Sequence, residues 1–180
     1  MIYNQKIESL SSPRVEIVTG QSFEKSWSRI TLPILEPKLS DISYMLLHNK
    51  LPVKERLFRV GMSNDSLCTL SPGSRIGDIK HFFCSCDMVS SAWTTVHIML
   101  DSLLGVHVAS YDLFHYLFPS CPKEREVVWL LGNYVGRIWD ELHVKSSKTI
   151  DAEEFFGYLT FKYKSEQFGA KIPLGVVPGL

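Results

Sequence analysis

A chain of 180 residues with 45% hydrophobic and 21% charged side chains has the composition of a folded, soluble domain, which excludes an intrinsically disordered protein. The 19 basic and 19 acidic residues cancel, so the chain lacks the overall positive charge of a strong autonomous nucleic-acid binder. Residues 1–60 carry nine Lys/Arg against six Asp/Glu. Any basic surface is therefore expected in the N-terminal third.

The four cysteines and the apolar runs indicate the environment of the chain. Met1 to Lys6 form no apolar signal segment, so we expect reduced thiols in an intracellular protein, with nucleus and cytosol not distinguished, rather than disulfides. Arg137 and Asp140 interrupt the apolar run around Trp129 well before the ~18 residues that a membrane span needs. No membrane contact is expected.

The first part of the chain is rich in residues that interrupt regular structure. Residues 1–38 contain Pro13, Gly20, Pro33 and Pro37, and this segment is predicted to be an irregular, extended N-terminal arm.

Two short helices are predicted after this arm. Ser40 and Asp41 offer an N-cap for a helix with Ile42 on its apolar side. Pro52 suits the first turn of a second helix, and Gly61 ends it.

Residues 63–80 are rich in Ser, Asn, Asp, Gly and Pro, and they predict a loop. From Asp87, apolar residues recur at intervals of three and four, as on one face of a helix, until Gly105. Ser120 and Pro122 then open the clearest helix of the sequence.

The last predicted helix begins at Asp151, an N-cap residue, with Glu154 three positions further on as in a capping box. Gly169 and Pro173 are expected to end it. Strand patterns after residue 40 are weak. The fold class is therefore predicted to be mostly α, a small helical domain with an irregular Cys/His loop element and the extended N-terminal arm.

The Cys and His residues around the loop have the pattern of a metal site with one ligand missing. Cys68 is followed three residues later by Ser71 rather than by a second Cys, whereas His81 and Cys86 form a pair at suitable spacing. A serine hydroxyl stays protonated near neutral pH and is a poor zinc ligand. Cys84 is a candidate substitute, because in an extended segment it shares a face with Cys86, although in a helix the two diverge.

The residues around this pattern are similar to those of a known family. The residues concerned are Trp27, the stretch from Leu47 to Leu57, Cys68, His81-x4-Cys86 and Trp93. Together they resemble the zinc-binding region that follows the polymerase in many non-LTR retrotransposon reverse transcriptases. The similarity covers roughly residues 27–104, and the later helices look like the downstream tail of such a reading frame.

The resemblance implies a function as well as a division of the chain. It implies an N-terminal arm at residues 1–38, a reverse-transcriptase zinc-binding-like region at 39–104 and a helical C-terminal tail at 105–180. In that family the zinc element is thought to hold template RNA or target DNA during target-primed reverse transcription, so RNA or DNA is the implied partner. Ser71 at a ligand position implies a decaying or domesticated copy in which zinc binding is weak or lost.

The polymerase chemistry is not expected in this chain. Two-metal nucleotide transfer needs clustered aspartates, and the sequence contains no Asp-Asp pair. We therefore expect a non-catalytic fragment. Nucleophilic catalysis by Cys84 or Cys86 is disfavoured, because no glycine-rich nucleophile turn surrounds them.

Basic residues cluster before the loop. Lys50 and Lys54 are one helical turn apart, and Arg56 and Arg59 are a neighbouring pair, so the four could form a strip that contacts phosphate. A solvated helix face explains the same charges.

An alternative interpretation needs neither metal nor nucleic acid. Free Cys is often buried, so the Cys and His residues could simply pack in the core of a helical protein-interaction module whose partner is unknown. Five further histidines show no ligand spacing and are expected to be surface or packing residues: His48, His97, His107, His115 and His143.

Overall fold

The computed structural model describes residues 23–71, 75–144 and 150–165. These ranges are mostly helical, which confirms the predicted fold class. Their extended backbone pairs only at one isolated antiparallel bridge, between Leu67 and Ile76. The helices and the two π-helical turns are α1 (Phe23–Ile30), α2 (Pro37–Leu47), α3 (Lys54–Arg59), π1 (His81–Ser85), α4 (Ser90–Leu104), α5 (Ser110–Phe114), α6 (Glu124–Trp139), π2 (Asp140–Val144) and α7 (Ala152–Ser165).

The prediction of an irregular arm is wrong for residues 23–38, because α1 occupies the first half of this segment and α2 begins at Pro37. Ser26, Arg29 and Ile30 are buried at the three- and four-residue spacing of one helix face. Proline did not prevent the helix because Pro33 lies in the turn after α1. Residues 1–22, the rest of the predicted arm, lie outside the described ranges.

The helix predicted from Ser40 begins earlier than expected. Pro37 occupies the start of α2, where its missing N–H costs nothing and its fixed φ suits the helix, so no side-chain cap is used. At the other end, Asn49 adopts a left-handed φ of 50°, and Lys50 N–H donates to Met45 O at 2.6 Å. This hydrogen bond reverses the chain toward α3.

The predicted helix around Pro52 is present, but α3 begins two residues later than that proline. Gly61, with a φ of 77°, ends it as predicted: its N–H donates to Phe58 O, and Met62 N–H donates to Leu57 O at 2.8 Å.

The ends of the longer helices agree with two predictions. Gly105 caps α4 in the left-handed conformation, with a φ of 72°. Asp151 Oδ1 accepts hydrogen bonds from the backbone N–H groups of Glu153 and Glu154, at 2.7 and 3.2 Å, at the start of α7. The predicted stops at Gly169 and Pro173 lie outside the described residues.

The core is built around α6, which packs against α2 and α4. Two glycines one turn apart allow a close contact with α2 and the turn before it. A Cβ at Gly132 would lie 2.5 Å from Leu35 Cδ2, and one at Gly136 would overlap Leu39. The first half of the chain therefore buries apolar side chains directly against the second half.

A buried arginine also joins the two halves. Arg29 donates to Tyr116 O at 2.6 Å and to Glu124 Oε2 at 3.0 Å, and its guanidinium lies 3.8 Å from the centre of the Phe118 ring. The Tyr116 hydroxyl is 2.7 Å from Ser43 Oγ on α2. These contacts link α1 and α2 to the segment between α5 and α6.

Among the described residues, no helix has the length and apolarity that crossing a bilayer requires.

Candidate metal centre

The predicted loop is held in place by a short antiparallel pairing. Besides the Leu67–Ile76 bridge, Cys68 N–H donates to Arg75 O at 2.9 Å and Gly77 N–H donates to Ser66 O at 2.8 Å. The pairing fixes Cys68 against the chain that leads into π1.

The spacing of His81 and Cys86 corresponds to one turn of π-helix. Cys86 N–H donates to His81 O at 2.8 Å, five residues back, and this bond closes π1. Asp78 Oδ1 accepts from His81 N–H at 2.6 Å at the start of the turn. Tyr134 of α6 donates from its hydroxyl to Phe83 O at 2.6 Å. The turn is thus anchored at both ends and to the central helix.

The structure brings the three predicted ligands together. One ligand atom each of Cys68, His81 and Cys86 lies within 4.8 Å of the others. Ligands 2.0–2.3 Å from a tetrahedral zinc stand roughly 3.3–3.8 Å apart, so a contraction of about 1 Å suffices. His81 and Cys86 are buried and Cys68 is half-buried, so the cluster faces solvent on the Cys68 side.

The imidazole of His81 has a ring nitrogen that is available for a metal ion. Its Nε2 is buried and has no hydrogen-bond partner in the described structure, an arrangement that ordinarily costs free energy. Its Nδ1 lies 3.3 Å from Ser85 Oγ. When Nδ1–H donates to that hydroxyl, Nε2 keeps the lone pair that binds a metal.

Each of the two cysteine sulfurs has a hydrogen bond with the backbone two residues further along the chain. Leu70 N–H donates to Cys68 Sγ at 3.4 Å, and the backbone of Met88 hydrogen-bonds Cys86 in the same two-residue relation. Burial, with a smaller contribution from the neighbouring Cys68, raises the pKa of Cys86 to about 11. A bound cation would reverse this by stabilising both thiolates. The donor set and its surroundings therefore fit zinc.

Ser71, at the position of the missing ligand, has a different role. It is 5% exposed, and its hydroxyl donates to Asp87 Oδ2 at 2.5 Å. The hydroxyl thus ties the loop to the residue directly after Cys86.

Cys84 lies outside the ligand cluster. It is buried among core side chains and hydrogen-bonds with Ser110, and burial raises its pKa to about 12. The segment is helical rather than extended, so Cys84 and Cys86 point in different directions. The geometry does not support the substitution of Cys84 for Ser71.

A cavity of about 150 Å³ adjoins the cluster. Cys68 and His81 line it together with Lys54 of α3 and His143 of π2. The ring of His143 stacks on Trp139 at 4.1 Å between centroids. The ligand cluster therefore adjoins a mostly apolar recess whose lining includes the ammonium of Lys54 and the imidazoles of His81 and His143.

Three of the four predicted phosphate-contacting residues are engaged within the chain. Arg59 pairs with Glu55, Arg56 donates to Asn49 O at 2.8 Å, and Lys54 donates to Ser63 Oγ at 3.3 Å. The fourth, Lys50, is exposed, with its ammonium 6.0 Å from the centre of the Tyr44 ring.

A second group of metal-ligand type was not predicted. Ligand atoms of His97, Asp101 and His107 also lie within 4.8 Å of one another. The spacing of His97 and Asp101, four residues apart on a helix, was visible in the sequence. The approach of His107 depends on the left-handed turn at Gly105, which the histidine spacing alone does not reveal.

Comparison with known proteins supports the first cluster. Residues 15–93 match the family model described as zinc-binding in reverse transcriptase, which confirms the resemblance for this segment. The match includes Cys68, His81 and Cys86 and begins well before residue 39, where the zinc-binding-like region was predicted to start. Searches of curated proteins and of solved structures gave no match.

Proposed function

We propose that the chain is a non-catalytic zinc-binding region related to those of retrotransposon reverse transcriptases, in which Cys68, His81 and Cys86 hold one zinc ion. One observation carries the proposal: the ligand atoms of these three residues lie within 4.8 Å of one another, and the buried Nε2 of His81 has no hydrogen-bond partner in the described structure. Thiolate sulfur and imidazole nitrogen are the donors that zinc prefers in proteins. Bound zinc would cross-link the bridged loop to π1 and stabilise this part of the fold.

The proposed site is weak because only three protein groups bind the ion. Water completes the coordination, whereas a structural zinc site normally has four protein ligands. The Ser71 hydroxyl does not take the fourth position, since it is neutral and already donates to Asp87.

Zinc analysis of the purified full chain tests this proposal. After incubation with zinc and removal of excess metal, we expect one zinc equivalent per chain that depends on the cysteines, and a loss of thermal stability on adding a chelator. Cys68→Ser should lose both effects, and half-buried Cys121, outside the cluster, supplies the matched control Cys121→Ser. Equal zinc content in the two variants would refute the assignment.

We also propose that the chain has no catalytic activity. It is supported by the sequence, which has no adjacent pair of aspartates for two-metal nucleotide transfer. The test is whether the purified chain incorporates nucleotides on a template in the presence of Mg²⁺. Incorporation that is lost when Asp78 or Asp87 is changed to Asn would overturn this part of the proposal.

We further propose auxiliary contact of α3 with RNA or DNA. Lys54 lines the same recess as Cys68 and His81, so a phosphate backbone lying over α3 would pass the zinc site. Binding of RNA and DNA should weaken with salt, and Lys50→Ala and Lys54→Ala should each reduce the slope of log affinity against log salt by about 1. Lys164→Ala, at an exposed residue of α7, is the control. An unchanged slope in both the Lys50→Ala and the Lys54→Ala variant would exclude this contact.

One observation favours a second candidate, a protein-interaction module without metal. Phe58, Val60 and Met62 are 50%, 52% and 76% exposed in and just after α3. Under this alternative, zinc and chelator leave stability unchanged, and Phe58→Ala abolishes binding to a protein partner without altering the fold.

A further inference from the structure

The end of α4 and the segment after it carry three side chains of metal-ligand type that the zinc site proposed above does not use. His97 and Asp101 lie on one face of α4, four residues apart. Gly105 then reverses the chain, and His107 returns toward that face. His107 Nδ1 lies 2.7 Å from Asp101 Oδ2, and His97 Nε2 lies 3.8 Å from Asp101 Oδ1.

We propose that His97, Asp101 and His107 form a second metal site, for a divalent transition ion of the zinc, nickel, cobalt or copper class. Two imidazoles and one carboxylate suit these ions better than Mg²⁺ or Ca²⁺, which prefer oxygen-rich sites. Nitrogen and oxygen ligands 2.0–2.2 Å from a tetrahedral ion are roughly 3.3–3.6 Å apart. The observed separations of 2.7 and 3.8 Å lie on either side of that range, so small side-chain rotations suffice.

The surroundings orient the ligands. The His97 ring stacks on Trp93 with 5.1 Å between centroids, and Asp101 Oδ1 accepts from Val108 N–H at 3.2 Å. Outer contacts of this kind fix ligand geometry in metal sites. The site is also accessible, since the side chain of His107 is 73% exposed.

The backbone adds a favourable field for a cation. Asp101 lies in the last turn of α4, where the unpaired carbonyl groups give the helix end a partial negative charge. Two hydrogen bonds compete with the ion: His107 Nδ1 is 2.7 Å from Asp101 Oδ2, and His97 Nε2 is 2.8 Å from Val108 O, to which it donates when protonated there. A metal ion at this nitrogen replaces that proton, so the Val108 hydrogen bond is lost on binding.

Zinc titration of the full chain, followed by calorimetry and by imidazole ¹H–¹⁵N NMR, tests the site. In the wild-type chain we expect the ring nitrogen resonances of His97 and His107 to shift with a saturable zinc dependence. His107→Ala and Asp101→Asn should raise the zinc concentration needed by at least about tenfold. His48→Gln, a histidine change outside both clusters, should leave it unchanged.

Cobalt titration separates this site from the thiolate site, because only a cysteine-ligated cobalt ion gives sulfur-to-metal charge-transfer absorption. His107→Ala should leave that absorption intact, whereas Cys68→Ser should remove it without affecting the shifts of His97 and His107. Imidazole resonances that do not move at saturating zinc, or that move equally in Asp101→Asn, would show that these side chains form only hydrogen bonds at the end of α4 and would overturn the proposal.

Discussion

Restoring a thiol at position 71 gives the sharpest test of the zinc site, because the structure predicts opposite effects on the two forms of the protein. In the metal-free form, Ser71→Cys removes a buried hydroxyl that donates to Asp87 at 2.5 Å. Hydrogen bonds to charged groups contribute about 1.5–3 kcal/mol. Because Asp87 is exposed, we expect the lower end, a loss of about 1.5 kcal/mol in the free energy of unfolding.

In the zinc-bound form the new thiolate completes a four-ligand site. A tenfold lower dissociation constant adds about 1.4 kcal/mol of stability at saturating zinc, and a hundredfold change adds about 2.7 kcal/mol. The carboxylate of Asp87 repels the new thiolate and opposes part of this gain. The double variant Ser71→Cys, Asp87→Asn should therefore bind zinc more tightly than Ser71→Cys alone.

Urea unfolding with zinc and with chelator, combined with competition against a zinc-binding dye, measures both effects. Ser71→Ala is the matched control: it loses the same hydrogen bond but gains no ligand, so it should share the metal-free destabilisation and show no tighter zinc binding. If Ser71→Cys and Ser71→Ala have equal zinc affinities, position 71 does not face the metal and the reasoning fails.

Three further changes test the supports of the site and the core. Tyr134→Phe removes the hydrogen bond to Phe83 O in π1, and it should lower the free energy of unfolding in urea by about 1–3 kcal/mol and weaken zinc binding. Unaltered zinc affinity would show that this hydrogen bond does not position the ligands. Arg29→Ala leaves Glu124 without its buried partner and should cost about 3 kcal/mol by the same assay, whereas a loss below 1 kcal/mol would contradict a structural role. Asp151→Ala removes the N-cap of α7 and should cost about 1 kcal/mol, with Asp151→Asn largely retaining stability.

The metal ligands were predictable because their chemistry is local. Cys68 and the His81-x4-Cys86 pair were identified from residue type and spacing, and the structure places their ligand atoms together. The different position of Cys84 was not predictable, because it depends on whether the backbone at 81–85 is extended or helical. A π-helical turn has no simple sequence signature, since it needs tertiary anchors such as Tyr134.

The errors in the fold have a common physical origin in long-range packing. Ser26 and Arg29 make the sequence of α1 look polar, yet both side chains lie on its buried face. The partners of Arg29 are Tyr116 and Glu124, which lie 87 and 95 residues further along the chain. The helix ends set by single residues, such as Gly105 and Asp151, were predicted because a cap acts within a few residues of itself.

The pair of glycines on α6 bears on what can be expressed as a stable protein. Leu35 and Leu39 belong to the segment that matches the family, but the surface that receives them, at Gly132 and Gly136, lies well beyond residue 93. A polypeptide trimmed to residues 15–93 would keep every proposed thiol and imidazole ligand of the first cluster while exposing a leucine-rich flank to water. We expect such a fragment to aggregate unless the later helices are present. The metal ligands and the helical tail therefore belong to one cooperative folding unit.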